Sequence, residues 1–407
     1  MLPTMNPTPQ RRRVLSGMRP TGQLHLGNYH GALRNWVALQ QSHDAFFFIA
    51  DWHALTTGYE DTSQLQTHIR EMVIDWLAAG IDPAVSTVFV QSQVPEHAEL
   101  HLLLSMITPL GWLERVPTYK DQQAQLKERD LATYGFLGYP LLQSADILLY
   151  RPDYVPVGED QVAHVEITRE IARRFNHLFG SSPDFAKRAE AAVRLLGPDA
   201  GVYAKARKRW QQEGDSEAAE QARAVLQQAT LGDAERRVLL GYLDGLCASI
   251  LPEPQVLLTP TPKVPGLDGR KMSKSYGNTI GLREDPDSVA KKLRTMQTDP
   301  ARQRRTDVGD PAKCPVYDLH GVYSDQTTRD WVQQGCRSAS IGCLECKQPL
   351  IDRVVAEAEG MQARAKPFQQ DAGLVTEVLR DGAVRAREAA NQTMDEVRRV
   401  MNLQASA

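Results

Sequence analysis

Arg19-Pro20-Thr21-Gly22-Gln23-Leu24-His25-Leu26-Gly27-Asn28 is the stretch that decides the fold. The chain turns α/β at Val14, and Leu26, Tyr29, Leu33, Trp36 and Val37 follow the string at helical spacing. It therefore predicts a strand that turns into a helix. Gly22 and Gly27 allow backbone to approach a ligand closely. A helix start adds unpaired amides and a positive dipole end, which suit phosphate. His25 and Asn28 are three residues apart, so both side chains can face one bound group. Neither a GxxxxGK[ST] loop nor a GxGxxG fingerprint occurs, which argues against P-loop and dinucleotide-binding folds.

Outward from this string the pattern stays α/β. Ala45-Phe46-Phe47-Phe48-Ile49-Ala50 reads as a buried strand, with Asp51 and His53 just past its end. Leu65, Ile69, Met72, Val73, Trp76 and Leu77 form a helical stripe that Gly80 ends, and Thr87-Val88-Phe89-Val90 is the next strand. Strand, helix, strand in this rhythm implies parallel pairing with right-handed crossovers. Ligands in such sheets collect at the carboxyl ends of strands, where His53 would lie.

Residues 184–250 are rich in Ala, Glu, Arg, Gln and Leu, carry no strand signal and read as three or four helices. Five prolines between 251 and 265 return the chain to a second string, Gly269-Arg270-Lys271-Met272-Ser273-Lys274-Ser275-Tyr276-Gly277-Asn278, a flexible loop with two lysines. Beyond Pro286 the pattern is helical and ends in a long amphipathic helix from about 374 to 401.

The net charge of -3 over 407 residues gives no global basic signature, so any nucleic-acid contact must come from local patches. Arg302, Arg304, Arg305, Arg398 and Arg399 are the basic candidates for such contact. No apolar run approaches a membrane span, and no apolar segment follows Arg11-Arg12-Arg13, so the chain reads as cytoplasmic. Residues 1–10, rich in Pro and Thr, read as a disordered leader.

The two strings together resemble the two nucleotide-binding motifs of class I aminoacyl-tRNA synthetases. Ser144-Ala145-Asp146-Ile147-Leu148-Leu149-Tyr150, then Val157-Gly158-Glu159-Asp160-Gln161-Val162-Ala163-His164, make the likeness specific. With Ser16-Gly17-Met18-Arg19-Pro20-Thr21-Gly22 and Cys336-Arg337-Ser338-Ala339, they resemble the tryptophanyl-tRNA synthetases of bacteria. The likeness covers roughly residues 13–180 and 256–403.

This resemblance implies ATP and Mg²⁺ as co-reactants, L-tryptophan and tRNA(Trp) as substrates, and a homodimer whose tRNA spans both subunits. Carboxylate attack on the α-phosphorus of ATP is catalysed mainly by positioning and electrostatic stabilisation. His25, Asn28, Lys120, Lys271 and Lys274 would carry that stabilisation, the lysine loop following the departing pyrophosphate. Arg19, Pro20, Thr21, Gly27, Asn28, Met272, Ser273 and Ser275 would hold ATP. Gly158, Glu159 and Asp160 would line its ribose and adenine side, with backbone at Val264 closing over the base. Asp146 would accept the indole N–H, the one polar group the ring offers. Gln161 and His53 would orient the amino and carboxylate groups. Leu15 and Gly17 would line the tryptophan pocket, Leu15 standing where an aromatic residue is frequent.

Cys314, Cys336, Cys343 and Cys346 follow the spacing C-x21-C-x6-C-x2-C. Four such residues can bind zinc or a [4Fe–4S] cluster, and some members of the resembled family carry that cluster with nearly this spacing. Cluster, zinc and unligated thiols all stay open.

The expected architecture is α/β: a Rossmann-like class I catalytic domain at 11–183 and 251–285, a helical insertion at 184–250, and a helical anticodon-binding domain with the cysteines at 286–407. Three rival functions stand beside it: tyrosine activation on the same fold, a non-catalytic RNA-binding paralogue, and an iron–sulfur electron carrier.

Overall fold

The computed structural model describes residues 11–116, 133–180, 184–245, 247–258 and 264–403. Lys120, the leader 1–10 and the side chain of Asp160 lie outside the described residues. The chain forms two compact units, each assembled from distant segments. The first takes Met1–Ser16, Gln91–Leu257 and Val384–Ala407; the second takes Gly17–Val90 and Leu258–Ala383. The described residues form five strands: β1 (Arg13–Met18), β2 (Asp44–Ile49), β3 (Ser86–Val90), β4 (Tyr154–Val157) and β5 (Gln255–Leu258). The division between the units falls within β1.

In the second unit the strand order is β3-β2-β1. β2 and β3 are parallel, in register from Ala45 opposite Ser86 to Ile49 opposite Val90. The Ala50 amide, just past β2, donates to Met18 O at the end of β1 (2.9 Å). β2 is buried from Ala45 to Ile49, as expected of a parallel strand covered on both faces. Phe47 stacks on Trp36 with centroids 4.8 Å apart, and Trp76 meets Trp36 edge-on at 5.2 Å. Each such pair contributes about 0.5–1.5 kcal/mol beyond its buried area. Trp76 comes from the helix Leu65–Ala79, which Gly80 ends in the left-handed region at φ 110°, where glycine carries no Cβ penalty. The predicted helix after the first string is interrupted: Leu26–Asn28 leads into a π-helical turn, Tyr29–Leu33, before Arg34–Leu39. His30 on that turn lies 2.7 Å from the hydroxyl of Tyr323, which in turn donates to Glu357 (2.7 Å). The rest of this unit is helical: Pro286–Thr295, Pro315–Tyr323, Gln326–Arg337 and Cys343–Gln370.

In the first unit the order is β1-β4-β5. Val14 pairs in parallel with Tyr154, and Asp153 joins the strands by donating to Arg13 O and accepting from Gln255 N (both 2.9 Å). The helices Tyr139–Tyr150 and Val162–Phe179 are linked by Ser144 Oγ and Thr168 Oγ1 at 2.9 Å. Four helices follow: Phe185–Arg194, Ala200–Glu213, Ser216–Gln228 and Asp233–Asp244. They close over a core of their own that includes Phe185, Tyr203, Leu226 and Leu239. The buried Asn176 side chain then pins the returning chain, accepting from Ile250 N and Leu251 N (both 2.9 Å) and donating to Leu251 O (2.8 Å). Among the described residues, no helix is long and apolar enough to cross a membrane.

Candidate active site

In the second unit the two sequence strings meet. Lys274 Nζ donates to Thr21 O at 2.8 Å, although 253 residues separate them. Beside this bond the backbone on either side of His25 pairs in antiparallel fashion with the segment leaving the lysine loop. Leu26 N donates to Ile280 O and Leu282 N to Leu24 O, both at 3.0 Å. A Cβ on Gly27 would sit 3.0 Å from the His25 ring and 3.4 Å from Met272 Cβ, so glycine lets both strings approach. Gly22, at φ +96°, occupies the left-handed region that the turn requires.

The lysine loop is closed on itself by Asn278, a nearly fully buried side chain. It accepts from Ser273 N (2.8 Å) and donates to Asp268 (2.7 Å) and Lys271 O (3.2 Å). The Asn278 amide, followed by Arg270, holds the Asp268 carboxyl down to about 2. Met272 is buried and its amide donates to Val264 O at 3.4 Å, so that carbonyl is committed to the loop. Lys271, Lys274 and Ser275 stay exposed, with Ser273 bonded to Ser275 through their hydroxyls (2.9 Å).

Burial, and secondarily the Lys274 charge, pushes His25 down to about 4. The imidazole is therefore neutral at physiological pH, and its Nδ1 is buried with no partner among the described residues. The helix start is less open than the sequence suggested. Leu26 N is engaged by Ile280, while Asn28 N and Tyr29 N return to His25 O (2.8 and 3.2 Å). Asn28 also uses its Oδ1 to accept from His25 N at 3.1 Å, a capping contact.

Sequence reasoning missed the group that ties the first string to the segment leaving the lysine loop. Asp75, buried on the helix Leu65–Ala79, accepts from Leu24 N at 2.8 Å and from Arg283 Nε at 2.5 Å. Arg283 also reaches Glu71 at 2.6 Å. A signal was available: Asp75 interrupts the apolar run Met72-Val73-Ile74-Asp75-Trp76-Leu77. Gly17 has a packing reason for being glycine, since a Cβ there would lie 2.4 Å from the Phe48 ring. His53 is buried on the helix Asp51–Gly58, which follows β2 directly. Arg19 and Thr21 are exposed, and Pro20 is buried.

In the first unit Asp146 is fully buried on the helix Tyr139–Tyr150. Its Oδ1 accepts from Gln91 Nε2 and is bonded to His97 Nδ1, both at 2.7 Å. Gln161 ends a short 3-10 turn, Glu159–Gln161, that Gly158 precedes. Its Oε1 lies 2.6 Å from His164 Nδ1, and His164 Nε2 lies 3.1 Å from the Tyr139 hydroxyl, tying Gln161 to the helix of Asp146. Leu15 is buried in β1.

Cys314 precedes the helix Pro315–Tyr323, Cys336 lies on Gln326–Arg337, and Cys343 and Cys346 lie in the first turn of Cys343–Gln370. Burial, then the three other thiols, pushes Cys346 up to about 12, so the four are electrostatic neighbours. Among the described residues, no three His, Cys, Asp or Glu side chains are grouped to hold a single metal ion. One basic candidate is corrected. Arg302 is buried, donating to Ile341 O (2.6 Å), Arg305 O (3.1 Å) and Cys336 Sγ (3.7 Å), and thus braces the cysteine region instead of facing nucleic acid. Arg398 is held by Glu99 and Arg305 by Glu345, while Arg304 is exposed.

Comparison with known proteins agrees with this geometry. The family model for tRNA synthetases class I (W and Y) matches residues 8–203 and 222–357, skipping part of the helical insertion. A tryptophan–tRNA ligase of Ralstonia nicotianae is 62% identical over 395 residues, covering 96% of this chain and 98% of the relative. One from Thermotoga maritima is 42% identical, covering 96% and 99%. The crystal structure of tryptophanyl-tRNA synthetase from Campylobacter jejuni, complexed with ADP and tryptophan, superposes with a TM-score of 0.72 at 28% identity, covering 96% of this chain and 99% of that one. The chain belongs to the tryptophan–tRNA ligases of the class I (W and Y) synthetase family.

Proposed function

We propose that this chain activates L-tryptophan with Mg²⁺-bound ATP and transfers it to tRNA(Trp) for protein synthesis in the cytoplasm, as a homodimer. The observation that carries the reading is the junction of the two strings through Lys274 Nζ and Thr21 O. A carboxylate oxygen of tryptophan bonds to the α-phosphorus of ATP as the bond to the pyrophosphate oxygen breaks. A hydroxyl of the terminal ribose then takes the acyl group and AMP leaves.

The neutral His25 stabilises the phosphate oxygens by hydrogen bonding, without the ionic grip that would retard release of product. Lys274 and Lys271 supply positive charge from a loop able to follow the pyrophosphate. Burial lowers Lys274, and the charge of Asp75 opposes that shift. Asp146 reads the indole N–H and rejects a phenol, whose oxygen would stand at a different depth. Sites that read a ligand's hydrogen bond discriminate far better than apolar ones. Gln161 and His53 orient the amino and carboxylate groups, and Gly158 to Asp160 take the ribose and adenine side.

For the cysteines the reading is a [4Fe–4S] cluster that pins three helices. Its support is the donor set: four thiols drawn together, Arg302 on Cys336, and Lys347 beside Cys343, Cys314 and Cys346. Iron and sulfide analysis of anaerobically purified protein decides it; zinc alone, or no metal, would overturn the cluster.

The activity is tested by attachment of labelled tryptophan to tRNA(Trp). Stable charging is expected, and charging of tRNA(Tyr) with tyrosine instead would move the chain to the rival specificity.

A further inference from the structure

We propose that Gln91, His97 and Tyr150 form a positioning relay that fixes Asp146 as the reader of the indole N–H and so sets the preference for tryptophan. This inference rests on the role given to Asp146 above. All four side chains belong to the first unit, and each is fully buried. Gln91 Nε2 and His97 Nδ1 each lie 2.7 Å from Asp146 Oδ1, and His97 Nε2 lies 2.8 Å from the Tyr150 hydroxyl.

With Asp146 ionised, these contacts assign the protons. An ionised carboxylate only accepts, so His97 carries its proton on Nδ1 and Gln91 turns its amide nitrogen toward Asp146. His97 Nε2 is then an acceptor, and Tyr150 donates to it. Burial, with the Asp146 charge behind it, holds the Tyr150 phenol well above its ordinary value, so that donor is not lost. The direction of donation runs from Tyr150 through His97 to Asp146. Gln91 has its Oε1 buried without a partner among the described residues, the consequence of pointing its donor end at the carboxylate.

The relay serves recognition through the charge state and orientation of Asp146. The carboxylate is fully buried, where an isolated charge would tend to take up a proton. A protonated acid would present a donor to the indole N–H and lose the contact. Two donors on one oxygen favour the ionised form and lock the carboxylate rotamer. A purely structural cluster would affect folding and every substrate alike. A relay acting through Asp146 affects the reading of N–H alone.

The test is ATP–pyrophosphate exchange by the full chain with L-tryptophan and with its 3-benzothienyl analogue, in which sulfur replaces the N–H. Wild-type protein should prefer tryptophan by on the order of a hundredfold or more. His97→Leu should lower that preference by about ten- to a hundredfold, the loss of one bond to a charged group, while KM for ATP stays within about twofold. His97→Asn, whose amide nitrogen can replace Nδ1, should keep most of the preference. Tyr150→Phe, which removes one oxygen, should lower it severalfold. An unchanged preference in His97→Leu overturns the relay, as does an equal rise in KM for ATP and tryptophan. Should His97→Leu fail to fold, an unchanged preference in Tyr150→Phe overturns it. A wild type that does not discriminate the analogue would instead overturn the Asp146 reading itself.

Discussion

Replacing Asp75 with asparagine isolates the contact that ties the first string to the segment leaving the lysine loop. The asparagine carbonyl can still accept from Leu24 N, but its amide nitrogen would oppose the Arg283 guanidinium. The Arg283 side chain is only 6% exposed, so its charge has little water to turn to. Breaking a buried ion pair by removing one partner costs about 3–5 kcal/mol. Glu71, 28% exposed, remains as a second partner for Arg283, which places Asp75→Asn near the lower end, about 3 kcal/mol. Arg283→Met in the same chain removes the stranded charge. The pair should then show a coupling of about 2 kcal/mol, the double variant being less damaged than the sum of the singles. Urea unfolding gives the stabilities, and pyrophosphate exchange on the folded variants gives the effect on chemistry. Because Arg283 follows Leu282, whose amide donates to Leu24 O beside His25, exchange should slow even where the protein is folded. Asp75→Asn within about 0.5 kcal/mol of wild type, or strict additivity in the cycle, would refute the anchoring role.

The other predictions are more local. Lys274→Ala should slow adenylate formation by about a hundredfold, the loss of one charge stabilising the transition state, with tryptophan affinity nearly intact; calorimetry showing a large affinity loss would count against the loop assignment. His25 sits near 4 in the folded protein against 6.5 unfolded. Between those values the unfolded state binds more protons, so stability is fully present above pH 6.5 and falls as pH drops through 4. His25→Asn should flatten that slope in thermal unfolding measured across this window, although His320, also near 4, will keep part of it. Gly17→Ala places a methyl against the Phe48 ring and should destabilise by about 1–3 kcal/mol; a melting temperature equal to wild type would show that the ring yields freely.

Periodicity carried the fold well. The stripe from Leu65 to Leu77, its stop at Gly80, and the strands β2 and β3 could be read because each is encoded in neighbouring residues. The lysine loop and the His25 string were legible as motifs, since their spacing is local too. What escaped were pairings between distant segments. Asp75 meets Arg283 across 208 residues, and Asp146 meets Gln91 and His97 across 55 and 49; no local pattern specifies those partners. The π-helical turn at Tyr29–Leu33 escaped for a related reason, because its His30 is held by Tyr323 on another helix. Arg302 was misjudged as a surface cation because charge alone does not reveal that its guanidinium fills a buried set of carbonyl acceptors.

The central claim is that this chain makes an adenylate of tryptophan and of no other amino acid at comparable rate. Amino-acid-dependent ATP–pyrophosphate exchange across the standard amino acids tests it most directly. Rapid exchange with tryptophan, and exchange with tyrosine lower by several orders of magnitude, is the predicted result; comparable exchange with tyrosine, or none with tryptophan, would contradict it.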